Sequence, residues 1–446
     1  MRIDASFAES ALSKALHAGA DQAEIFLRYS RGLAVEVKDR TVDSLKSSRS
    51  FGYGLRVLRG GCPGFSYSNL RDDIDLVVRN AVAAAAFADR DAYLDFPEAS
   101  VAPEVAVLDP EVESTGEDEA IRMAVLMEDA ARNADPRIAK VRKASASFGS
   151  SELLIMNSKS LHAGYRSTVC SAQITVVAEE TGDAQVGFDY SGSRFLRDIS
   201  FEQTGINAAL QACSLLGARK FDARKAAVLL DRSVAVDFLG ILSGSLSADN
   251  VQKGKSLLSG RTGDLVISPR IRILDNGLLP GRPGSSPVDD EGVPSMRKIL
   301  FDSGILRGYL HNTYTSRKAA AVSTGNAARG GYASVPSVGA TNLYIEAASE
   351  EATVPMGSVF DTIGKGLYVL DAMGVHTANP VSGDFSVGVT GIWIENGELS
   401  YPVKEAVLSG NILELFSGIE AVCDDLRFYG GVGSPSLLIR EMDISA

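Results

Sequence analysis

Glycine punctuation sets the tightest limit on the fold of this 446-residue chain. Its second half consists of short apolar runs interrupted by Gly at close intervals. Two of the interruptions are hairpin turns by composition. Ile392-Trp393-Ile394-Glu395 leads through Asn396-Gly397 to Glu398–Val403, and Ile299–Asp302 leads through Ser303-Gly304 to Ile305–Leu310. Asn-Gly tolerates positive φ at both central positions, which matches the twist of a two-residue hairpin. With 43 Gly and 7% aromatics, such a pattern predicts a mostly β region, a barrel or a sandwich, beyond residue 222.

The first half reads differently. Ser6–Ala18 places Phe7, Ala11, Leu12 and Ala15 at helical spacing, and Gly19 can end that helix. Ala23–Tyr29 and Leu33–Lys38 alternate as half-buried strands do, and Phe51–Leu58 and Gly64–Ser68 follow as strands. Helices are expected at Asp72–Asp89, Glu117–Asn133 and Ser200–Leu216. Between the first two of these, Asp91–Glu113 is rich in Pro and acid and reads as a surface excursion. Strands return at Lys140–Phe148, Leu153–Asn157 and Ser171–Glu179. The predicted class is α+β: an N-terminal domain (1–222) with helices on an antiparallel sheet, and a β-rich C-terminal domain (223–446). The polar stretch Lys220–Lys225 is the boundary. In the second domain helices are expected at Ser233–Leu246, Val359–Gly364 and Ile412–Ala421.

Charge and cysteine usage exclude several functions. The formal net charge is −12, with Lys and Arg scattered, so the basic footprint that displaces counterions from phosphates is missing. No apolar stretch reaches a membrane span. The N-terminus lacks the charged start and apolar core of a secretion signal. Cys62, Cys170, Cys213 and Cys423 form no CxxC pair, consistent with free thiols in a reducing, cytoplasmic compartment.

Local motifs for chemistry are sparse. None of His17, His162, His311 and His376 is followed by Glu, so no HExxH zinc motif occurs. No GxSxG elbow and no phosphate-binding P-loop are present. Three polar clusters remain: Asp289-Asp290-Glu291-Gly292, Tyr314–Lys318 with Ser323-Thr324-Gly325-Asn326 and Arg329, and Ser382-Gly383-Asp384-Phe385-Ser386. The acidic run reads as a solvated loop or as a cation ligand, together with His311 in one reading. The others read as self-bonded turns or as the lining of a groove for a peptide main chain.

These clusters, in this order, resemble the TldD/PmbA family. The similarity extends through Gly304–Tyr314, Gly391–Glu398, Tyr401-Pro402-Val403, Gly410-Asn411 and Ser434–Ile439, and at the start through Gly19–Glu24 and Gly52–Val57. The resemblance implies a cytoplasmic zinc peptidase of two paralogous subunits acting on unfolded peptides, in leader-peptide removal or antitoxin turnover. It implies an HExxxH motif and a Cys ligand in the catalytic, TldD-type subunit. Aligned from Val228-Leu229-Leu230, that hexamer falls on Gly240–Ser245, and Gly240, Ile241 and Ser245 replace the His, the Glu and the second His. Cys423 lies near, but not at, the expected Cys position. The resemblance is thus to the PmbA/TldE branch, the metal-free partner of a TldD-type subunit that carries the zinc. No catalytic or metal residue is expected in this chain. Arg317, Asn326, Arg329, Asp384 and Asn411 are the candidates to line the peptide cleft. The alternatives are a homodimeric peptide-binding protein without catalysis and an enzyme with an unrecognised metal site.

Overall fold

A computed structural model describes residues 3–220 and 222–445; Phe221, in the predicted boundary, lies outside the described residues. The N-terminal half is one six-stranded antiparallel sheet. Its strands are β1 (Gln22–Lys38), β2 (Thr41–Arg59), β3 (Cys62–Ser68), β4 (Ile138–Asn157), β5 (His162–Glu180) and β6 (Asp183–Ser193). Their order is β3-β2-β1-β4-β5-β6.

The strands are longer than their sequence pattern predicts. Ala23–Tyr29 and Leu33–Lys38 are two ends of one 17-residue strand, and Lys140–Phe148 and Leu153–Asn157 are likewise parts of β4. Period-2 alternation keeps one face of β1 apolar toward both of its ends. Ala23, Ile25 and Leu27 pack under helices α1 (Ala5–His17) and α2 (Ile74–Ala85). Leu33, Val35 and Val37 pack under α3 (Glu117–Ala134) and α4 (Phe201–Ser214). The helices approach the sheet closely. A Cβ at Gly187 would meet the Ala208 carbonyl at 2.0 Å, and one at Gly64 would meet the Ala81 carbonyl at 1.9 Å.

The opposite face of β1 is not half-solvated, as the alternation suggested. Glu24 and Phe26 are buried there, 0% and 1% exposed, against the second domain. The excursion at 91–113 is also partly internal, since Phe96 and Val107 are buried and Pro110–Ser114 forms a short helix.

Beyond 223 the chain builds a barrel and a smaller sheet. The strands are β7 (Arg224–Leu230), β8 (Ile271–Asn276), β9 (Arg297–Asp302), β10 (Leu343–Ala347), β11 (Lys365–Met373), β12 (Asp384–Glu395), β13 (Glu398–Asn411), β14 (Ile419–Cys423) and β15 (Leu437–Ser445). β7, β11, β12 and β13 are joined in that order, and β15 pairs with both β7 and β13, which closes a five-strand barrel. β8, β9 and β10 form the centre of the second sheet. Both predicted hairpins form, with Asn396 and Gly397 at φ 54° and 79° and Ser303 and Gly304 at φ 50° and 77°.

Helix α5 (Arg232–Ser245) fills the space between the two sheets. Two helix predictions are corrected. Val359–Gly364 is only a 3-10 turn over Val359–Thr362. The helix predicted at Ile412–Ala421 ends at Ser417, because Gly418 caps it and Ile419 enters β14. Among the described residues no helix is long and apolar enough to cross a membrane.

Candidate functional site

Helix α5 carries Gly240, Ile241 and Ser245, the positions onto which the family resemblance places the hydrolytic motif. Asp231 caps its start, accepting from the Ser233 backbone N–H at 2.9 Å and from the Tyr368 hydroxyl at 2.8 Å. Its apolar face, Val234, Ala235, Phe238, Leu239 and Leu242, enters the C-terminal core, where Phe238 meets Phe385 edge-on at 5.0 Å. Gly240 lies on the outer face, and a Cβ there would point into open space. Ile241 packs against the same core as the apolar face. Ser245 is 1% exposed, and its hydroxyl has no hydrogen-bond partner among the described residues.

This donor set does not fit a catalytic zinc ion. Gly240 offers a hydrogen, Ile241 an alkyl group and Ser245 an enclosed hydroxyl, and none of these is a good zinc ligand or a general base. Cys423 does not supply a ligand either. It sits in a separate apolar cluster with Leu229, Ile363, Ile394 and Leu438, where burial pushes its thiol up to about 12. Among the described residues no group of three or more His, Cys, Asp or Glu side chains is placed to hold a metal ion. That includes the Asp289–Glu291 loop with His311.

The acidic loop is not solvated; it is a buried junction. Asp289 accepts from the backbone N–H groups of Glu291, Val293 and Ala327, each at 2.9 Å. Burial and the neighbouring Glu291 still push its carboxyl up to about 8. Glu291 accepts from the Thr313 N–H at 2.9 Å and pairs with Arg56 at 3.2 Å. Arg56 also pairs with Glu24 at 2.7 Å, and Arg329 completes the set by pairing with Glu24. Two residues of the N-terminal sheet and two of the C-terminal domain thus form one buried ionic cluster. Burial opposes ionisation of Glu24, but Arg56 and Arg329 outweigh it and lower its pKa.

The predicted cleft residues therefore divide. Arg329 belongs to this junction and stacks on Phe26 at 4.7 Å. Asn326 is buried beside it, donating to Asp275 at 2.8 Å and to the Gly339 carbonyl, and accepting from Lys298 at 3.0 Å. Arg317 reaches across the domains to Asp95 at 2.9 Å and to the Tyr93 carbonyl. Asp384 and Asn411 form a separate pair at 3.0 Å, and Asn411 caps the helix Ile412–Ser417. The Asn411 amide and Ser382 hold the exposed Asp384 carboxyl below its ordinary range. Asn326 and Arg329 belong to separate hydrogen-bond networks, and each of the five residues has structural contacts.

Sequence reasoning missed a cavity of about 570 Å³ between β6, α4 and the first half of α5. Asp189, Asp237, Asp371 and Arg427 line it. They are separated in sequence and belong to no motif, so only the tertiary fold reveals them.

Sequence models described as the PmbA/TldA metallopeptidase domain 1, central domain and C-terminal domain match residues 23–85, 110–216 and 223–446. The first two share the single N-terminal sheet. The chain is 28% identical to metalloprotease PmbA of Escherichia coli O157:H7, covering 98% of this chain and 96% of that protein. It is also 28% identical to a metalloprotease TldD homologue of Haemophilus influenzae, covering 94% and 88%. A crystal structure from Thermotoga maritima, named as a modulator of DNA gyrase, superposes with a TM-score of 0.91 at 25% identity, covering 99% of this chain and 100% of that one. From its first sheet to its closing strand, this chain belongs to the PmbA/TldD metallopeptidase family.

Proposed function

We propose that this chain is the non-catalytic subunit of a two-component peptidase, paired with a TldD-type subunit that holds the zinc and acts on unfolded peptides. Identity does not separate the two branches, since PmbA and TldD relatives score alike. One feature supports the reading: the helix α5 positions onto which the resemblance aligns the catalytic motif hold Gly240, Ile241 and Ser245, which offer neither imidazole nor carboxylate. The helix keeps its packing face in full. Retained packing with lost donors fits a chain kept for assembly and substrate handling.

In the proposed pair the partner's zinc would polarise the scissile carbonyl and activate water. This chain would supply a rigid wall. Its two domains are fixed to each other by the Glu24–Arg56–Glu291–Arg329 cluster, so that a bound peptide meets a preorganised surface.

The test is co-expression with a TldD-type subunit, followed by zinc analysis and a cleavage assay on an unfolded peptide for each chain and for the pair. Expected is one stable complex, zinc in the partner only, and cleavage by the complex but not by this chain. Chelator-sensitive cleavage by this chain alone overturns the proposal. A homodimer that ignores the TldD-type chain supports the alternative of a non-catalytic peptide-binding protein.

A further inference from the structure

The 570 Å³ cavity beside α5 has a built floor and an exposed apolar rim. On the floor, Asp189 is 5% exposed and pairs with Arg427 at 2.9 Å while accepting from the Asn207 amide at 2.9 Å. Gln211 of α4 donates to the Leu370 carbonyl of β11 at 3.0 Å and ties the two domains at the cavity edge. At the rim, Phe188 and Leu210 remain 45% and 55% exposed. Large apolar side chains left open around a polar recess mark a contact surface.

Two solvent-exposed carboxylates at this recess lack an ion-pair partner among the described residues. Asp237 of α5 and Asp371 of β11 line the same cavity and repel each other. Partial desolvation and that repulsion raise the Asp237 carboxyl to about 6. Neither carboxylate has a cationic partner among the described residues; Asp371 takes the backbone N–H of Ala372. The nearby cations are already engaged: Arg427 with Asp189 and the Tyr190 carbonyl, and Arg232 with Asp425. A cation entering here relieves the repulsion without displacing an existing pair. No third ligand group joins the two carboxylates at metal-binding spacing among the described residues. The rim provides apolar surface for the neighbours of such a cation.

We propose that this cavity receives a lysine or arginine side chain of an extended peptide, its cation between Asp237 and Asp371 and its flanking apolar residues on Phe188 and Leu210. The idea rests on reading this chain as the peptide-handling subunit, and it assigns that subunit a preference for a basic residue.

The probes are two fluorescein-labelled, unstructured peptides of about ten residues, identical except for a central Leu-Lys-Leu or Leu-Gln-Leu. Binding to the full chain is followed by anisotropy at low salt. The Lys peptide is expected to bind about tenfold more tightly. In Asp237→Asn/Asp371→Asn, whose fold is checked by circular dichroism, the two peptides should bind equally. Phe188→Ala should weaken both and keep the preference. Equal affinities in the wild-type chain, or a preference that survives the double substitution, overturn the proposal. Assembly with a TldD-type subunit is measured separately by size exclusion. Assembly together with equal peptide affinities rejects the basic-residue pocket alone; failure to assemble rejects the subunit reading.

Discussion

Glu24 shows why single residues of this protein resist reading in one dimension. In β1 it stands at a position whose alternation assigns it to solvent, yet it is 0% exposed and held by Arg56 and Arg329. The cause is a second domain about 200 residues further along the chain, invisible to local periodicity. Removing one member of such a cluster strands a buried charge, which costs about 3–5 kcal/mol. Arg329→Met should therefore lower stability by that amount in urea unfolding, whereas Arg317→Ala, at a half-exposed pair, should cost less than about 1 kcal/mol. Asp237 gives a prediction in pH. Its folded pKa, about 6, lies above its ordinary value, so the folded state holds the proton more tightly. The resulting stability is complete below about pH 4 and is lost as pH rises through about 6. The carboxylate faces Asp371 across the cavity, with Asp231, Arg232, Asp189, Arg427, Tyr190 and Tyr429 also lining it. Asp237→Asn should flatten that decline and raise stability at about pH 8 by no more than about 1 kcal/mol, because solvent screens the group. Chemical denaturation at several pH values tests both statements.

At the scale of elements, what was legible followed local rules. The hairpins at Asn396-Gly397 and Ser303-Gly304 were readable because positive φ is a property of the turn residues themselves. Helices α1, α3, α4 and α5 were readable because each has one apolar face. The joining of two strand segments into β1 was not, because Ser30, Arg31 and Gly32 break the apolar alternation, with Arg31 bonded to the Glu113 carbonyl of the short helix Pro110–Ser114. Nor was the early end of Ile412–Ser417, where competition from β14 overrides a continuing apolar run. Of the site, Asn326 and Arg329 could be singled out from sequence, but their burial and the cavity could not. Helix α5 supplies its own test. Gly240 and Gly244 sit inside a helix where an added methyl group would meet no close contact. Each Gly→Ala change should stabilise the protein by about 0.5–1 kcal/mol. Ser245→His has no room at 1% exposure and should cost about 1–3 kcal/mol through overpacking. Thermal unfolding of the three variants distinguishes a helix kept for packing from one ready to accept ligands again.

For the molecule as a whole, the closure of the barrel has a consequence in time. β7 opens the second domain, but its neighbour β15 is made only after every other barrel strand, and β15 also completes the ring against β13. During translation the N-terminal sheet can assemble from its own consecutive strands, while the barrel stays an open ribbon with bare edges until β15 has been made. Ribosome-stalled chains ending before Leu437 should carry a protease-resistant first half and a sensitive second half. Synthesis of this protein thus includes an interval in which one domain is complete and the other still needs protection from neighbouring chains.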